Sequence, residues 1–213
     1  MKIQSCFLAL CVMASFGLAA ETQPESPKPL CCQEPLPAGP HSEKSIFSLE
    51  QTWTSDFGKD VKLSLLQGKP FVLALFFTQC QHSCPYVVQD LKDLEAKLPK
   101  GVRERTNFVL VSIDPAHDTV ETLQAYRQKH NLPAERWLLL RGERSAVDAL
   151  ADHVGFRYTP GSENQFAHSL LLTIFNSGGE IAFQQAGIGV DRREAVKALQ
   201  KLVAPLPSHR ASK

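Results

Sequence analysis

The run Phe71-Val72-Leu73-Ala74-Leu75-Phe76-Phe77 is short, apolar throughout and preceded by Lys69-Pro70. A run with no polar alternation reads as a strand covered on both faces, which requires helices above and below its sheet. The apolar residues that follow, Val87, Val88, Leu91, Leu94 and Leu98, switch to helical spacing. Pro85 suits the first turn of that helix, where its missing N–H costs nothing. Between strand and helix stand Cys80 and Cys84. The amino end of a helix favours negative charge, so thiolates there are more populated, more reactive and better metal ligands than free cysteine. Three intervening residues permit a reversible disulfide when oxidised, or two convergent sulfur ligands when reduced.

The rest of the chain repeats the alternation. Residues 46–53 and 61–65 are expected to form an N-terminal hairpin around Asp56-Phe57-Gly58-Lys59. Residues 108–113 form a second buried strand, and Asp118 with Glu121 offers a capping-box start for a helix carrying Val120, Leu123 and Tyr126. A third apolar run covers 137–140, and Ser145 with Asp148 opens a helix through Val147, Leu150 and Val154. Two further strands, 169–175 and 180–186, flank Asn176-Ser177-Gly178-Gly179, a strong hairpin signal. A last helix starts near Asp191. This order, strands and helices alternating and then a hairpin and a closing helix, is that of a thioredoxin-like α/β fold: a central mixed sheet flanked by helices. In such sheets reactive groups sit at the carboxyl ends of strands, where Cys80 falls.

Residues outside this region behave differently. Lys2 precedes an apolar stretch over 6–20 that ends in Gly17-Leu18-Ala19-Ala20, which reads as a signal peptide over 1–20. The stretch is short for a spanning helix, which needs about 20 residues; a retained membrane anchor is the alternative. Export places the protein in the periplasm or another extracytoplasmic space, where thiols must be actively kept reduced. Residues 21–43, with six prolines among scattered charges, read as a flexible tether, residues 44–203 as one domain, and 204–213 as a frayed tail. Cleavage leaves Cys31, Cys32, Cys80 and Cys84, too few for a disulfide-stapled scaffold. A net charge of +1 without basic blocks gives no reason to propose nucleic acid as a partner.

Of seven histidines, His41 and His209 lie in the tails, and His117, His130 and His153 read as solvated. His168 differs, because it immediately precedes the apolar strand over 169–175. In thioredoxin-like proteins the loop entering that strand faces the cysteine motif. Two thiolates and one imidazole from facing loops suit Cu(I), whereas a structural zinc would want four closed ligands. His82 could supply a fourth donor only from a cramped position between its own co-ligands. Asp114 and Asp118 read as a turn carboxylate and a helix cap, with an outer role at the site open to Asp114. Adjacent Cys31 and Cys32 could form only a strained disulfide; free thiols, soft-metal capture and intermolecular bridges all remain open for them.

Gly68-Lys69-Pro70 and its strand, Phe77-Thr78-Gln79-Cys80-Gln81-His82-Ser83-Cys84-Pro85, Ser112-Ile113-Asp114-Pro115-Ala116-His117-Asp118-Thr119 and Ala167-His168-Ser169 occur in that order. Together they resemble the Sco/SenC family, from about Ile46 to Val203. Many relatives have proline directly after the first cysteine, where Gln81 stands here. The resemblance implies a copper metallochaperone that binds copper through Cys80, Cys84 and His168 and helps assemble the binuclear copper centre of cytochrome c oxidase. Its partners would be the copper-bearing oxidase subunit and other periplasmic copper carriers or thiol-disulfide proteins. The competing reading is a thiol-disulfide oxidoreductase using Cys80 and Cys84 as a redox pair. His168 discriminates, since a dithiol reductase needs no third ligand. A peroxiredoxin is weakened by the absence of Thr-x-x-Cys.

Overall fold

The computed structural model describes residues 27–34, 36, 40–80, 84–160, 166–168, 170–187 and 189–204. For Cys84, Pro85, Pro160 and residues 166–168 it places the backbone only. The expected signal peptide, residues 81–83 with His82, and the tail beyond Ala204 fall outside the described residues.

Three parallel strands form the centre: β3 (Phe71–Phe76), β4 (Asn107–Ser112) and β5 (Trp137–Arg141), taking the strands in chain order with β1 (Thr52–Ser55) and β2 (Asp60–Lys62) ahead of them. All residues of β3 and β4 are buried, as a strand covered on both faces requires. Helices α1 (Cys84–Lys97), α3 (Val120–His130), α4 (Arg144–Val154) and α5 (Arg193–Val203), with the short α2 (Lys100–Arg103), accompany the sheet. Strands β6 (Tyr158–Pro160) and β7 (Phe166–His168) make a separate two-stranded ribbon, and β8 (Leu171–Phe175) and β9 (Ile181–Ala186) complete a seven-stranded sheet in the order β2-β1-β5-β4-β3-β8-β9. Both β8 and β1 run antiparallel to their central neighbours, so the sheet is mixed. Its core is dense in aromatics: Phe71 stacks on Phe175 at 4.7 Å and Phe108 on Trp137 at 4.9 Å between ring centroids.

The hairpin signal at Asn176 joins β8 to β9, and its Gly179 has φ 80° while its carbonyl accepts from the Ile46 N–H at 2.9 Å. The amino-terminal hairpin is tighter than the sequence suggested. Only β1 and β2 pair, while Ile46–Ser48 and Leu63–Leu66 wind into 3-10 turns that bury Ile46, Phe47, Leu63 and Leu66. Helix starts also differ. Thr119, not Asp118, caps α3, its hydroxyl accepting from the Thr122 N–H at 3.2 Å, and α4 begins at Arg144 after Glu143 without a side-chain cap.

The expected tether is not extended between Pro29 and Gln33. Leu30–Cys32 is a 3-10 turn whose Leu30 enters the core at 3% exposure and donates its N–H to the Ala134 carbonyl at 2.8 Å. Gln33 clamps the turn from the other side, with its amide on the carbonyls of Lys28 and Glu135, both at 3.1 Å. One apolar side chain among prolines is enough to dock the segment, because burying a leucine is worth about 1.5–3 kcal/mol.

Candidate metal centre

Strand β3 ends at Phe76, Phe77 is fully buried, and a turn carries the chain to Cys80, whose N–H reaches the Phe77 carbonyl at 3.4 Å. Cys80 is 7% exposed, and Cys84 is the first residue of α1. The two cysteines therefore bracket the passage from a buried strand to a helix amino terminus, as the sequence indicated.

His168 ends β7. The ladder between β3 and β8 pairs Phe71 with Phe175, Val72 with Ile174 and Leu73 with Thr173. Each step toward the cysteines along β3 is a step back toward His168 along β8. The strand that follows His168 thus runs antiparallel beside the strand that precedes the cysteine turn.

The loop after β4 anchors both halves. Asp118 is fully buried and accepts from the Thr78 N–H at 3.2 Å, from the Thr78 hydroxyl at 2.5 Å and from the Ser112 hydroxyl. Burial lifts its carboxyl above the ordinary aspartate range, while the hydrogen bonds from Ser112 and Thr78 pull the other way. Asp114 donates its backbone N–H to the Ser112 hydroxyl at 3.0 Å, and its carboxylate meets Nδ1 of His117 at 2.9 Å. His117 is thus a partnered ring rather than a merely solvated one. Arg141 holds the loop from β5, donating to the carbonyls of Asp118 and Pro115, both at 2.8 Å. Arg144 donates to the Ile113 carbonyl at 3.1 Å and to the Tyr158 hydroxyl at 3.0 Å, and Tyr158 is the residue paired with His168 in the β6–β7 ribbon. Asp118 was visible in the sequence only as a candidate cap. Its real partners lie at Thr78 and Ser112, and no local pattern marks them.

Over residues 40–204 the chain matches the family model described as SCO1/SenC. It belongs to the SCO1/SenC family. A protein of Stutzerimonas stutzeri provisionally named as copper-binding is 27% identical over 128 residues, so the alignment spans 60% of this SCO1/SenC chain and 60% of that protein's length. The structure of a SCO1/SenC family lipoprotein from Bacillus anthracis superposes with a TM-score of 0.66 at 23% identity, over 72% of this chain and 92% of its own. Arabidopsis thaliana ScoI, solved with copper bound, gives 0.62 at 20% identity, over 72% and 95%. These likenesses carry the thioredoxin-like mixed sheet expected from the sequence. Among the described residues no helix is long and apolar enough to cross a membrane.

Proposed function

We propose that this SCO1/SenC protein is an extracytoplasmic copper carrier that holds its cargo ion through Cys80, Cys84 and His168 and delivers it to the binuclear copper centre of cytochrome c oxidase during assembly. The observation that carries this reading is the antiparallel β3–β8 register, which runs the strand after His168 alongside the strand before Cys80. Family membership and the copper of the Arabidopsis relative support the choice of metal. Two thiolates and an imidazole form a soft, three-coordinate set for Cu(I). Cys84 begins α1, and the amino end of a helix attracts negative charge. Three donors leave room for an acceptor's ligand to approach before the carrier's own ligands let go, so the ion passes by exchange and is never released as a free cation. Reading residues 1–20 as a cleaved leader supports the exported state, with Glu21 at or beside the mature amino terminus.

The test sets copper retention against thiol chemistry. His168→Ala removes one of three donors and should weaken Cu(I) retention against a chelator, yet leave Cys80 and Cys84 able to exchange a disulfide, which depends on thiolate population and access. Unchanged retention together with impaired exchange would replace the carrier by a thiol-disulfide oxidoreductase.

A further inference from the structure

Cys31 and Cys32 are held in a fixed turn, with their Sγ atoms 3.5 Å apart. Cys31 is buried and Cys32 exposed, so the pair has one side in protein and one in solvent. Adjacent α-carbons lie about 3.8 Å apart, short of the usual disulfide span, so the open dithiol is the relaxed state of the pair. With metal–sulfur bonds of about 2.3 Å, the value for thiolate zinc, the 3.5 Å separation sets an S–metal–S angle of about 100°. That bite excludes a linear two-coordinate ion and fits a trigonal or tetrahedral one whose remaining ligands come from outside. Among the described residues no three Cys, His, Asp or Glu side chains converge to supply them.

We propose that Cys31 and Cys32 form a second, solvent-open site for Cu(I), separate from the Cys80 turn and completed by a thiol or other soft donor from solution or from a partner. Thiolate softness selects Cu(I) over the hard cations. On binding, both thiols release their protons to solvent and the metal keeps its oxidation state. The site cannot share an ion with Cys80. The Leu30–Cys32 turn docks on the segment leading into β5, two strand spacings of about 4.8 Å from β3, and Cys80 lies past the far, carboxyl end of β3.

The experiment uses the full reduced chain carrying Cys80→Ser and Cys84→Ser, titrated anaerobically with Cu(I) against bicinchoninate and followed by thiolate-to-copper ultraviolet absorption. One equivalent should bind, and adding Cys32→Ser, a change at an exposed position, should weaken retention by more than about tenfold. Absence of that equivalent, or its persistence after Cys32→Ser, overturns the second site. Either result leaves the carrier reading intact when the otherwise unaltered chain still retains copper through Cys80 and Cys84.

Discussion

Asp118 and Thr78 lie forty positions apart and meet through two donors of one residue on one carboxylate, the Thr78 N–H at 3.2 Å and its hydroxyl at 2.5 Å. The turn that leads to Cys80 is therefore positioned by the loop after β4, not by its own sequence.

Asp118→Ala leaves the Thr78 N–H and the Ser112 hydroxyl without their acceptor, and should cost about 1–3 kcal/mol in urea unfolding. Copper retention should fall as well, because the cysteine turn loses its anchor. Stability lost with retention unchanged would reduce Asp118 to a purely structural role.

The same residue sets a pH dependence. Burial raises the folded-state affinity of its carboxyl for a proton above that of the unfolded chain, whose ordinary value is 3.8. Between that value and the raised one the native protein holds more proton, so the Asp118 contribution to stability declines as pH rises through the window. Urea unfolding of the parent chain and of Asp118→Ala, followed upward in pH from the ordinary value of 3.8, should show a smaller decline in the variant.

Alkylation should separate the adjacent cysteines. Burial, helped by the neighbouring Cys32, pushes the Cys31 thiol up to about 11 from an ordinary 9.0. At pH 8 that leaves about a hundredfold less thiolate than an ordinary thiol, so iodoacetamide should label Cys32 first by mass spectrometry of the native protein. Equal rates in native protein would show that the Leu30 turn opens freely.

Arg127 is nearly buried and forks onto Asp56 at 2.5 and 3.0 Å, with further bonds to the carbonyls of Leu132 and Trp137. Arg127→Ala strands a buried carboxylate and should destabilise by about 3–5 kcal/mol, read as a fall in the denaturant midpoint. The paired change Arg127→Met with Asp56→Leu should recover much of that loss, since it removes both charges together.

Gly179 is a sharper probe of the β8–β9 hairpin. A Cβ there would stand 2.5 Å from the Ser45 hydroxyl and 2.7 Å from the Phe47 ring, on a backbone with φ 80°. Gly179→Ala should cost more than about 1 kcal/mol, measured by thermal unfolding, because strain and overlap act together.

What the sequence made legible tracks how far each signal reaches. Strands β3 and β4, buried on both faces, announce themselves as continuous apolar runs, and Asn176-Ser177-Gly178-Gly179 is a local turn code. The placement of Cys80 and Cys84 between strand and helix is legible for the same reason, since strand, proline and helix lie within a few residues of them. Asp118 is not, because a buried acid that serves Thr78 looks in sequence like the cap that Thr119 provides one residue later. The β6–β7 ribbon escapes because three-residue strands are too short to show a period. Leu30 escapes because proline-rich composition suggests an extended tether even where one side chain is docked.

The β3–β8 ladder also imposes a chronology. It joins positions ~100 residues apart, and such long-range pairings close later than local ones because the intervening loop must first be ordered. A chain emerging amino end first exposes its cysteines while the histidine strand is still unmade. Copper arriving early would meet only two of the three proposed donors, and full retention would begin when the last strands join the sheet. Maturity of the fold, rather than supply of the ion, would then decide when this protein becomes a carrier.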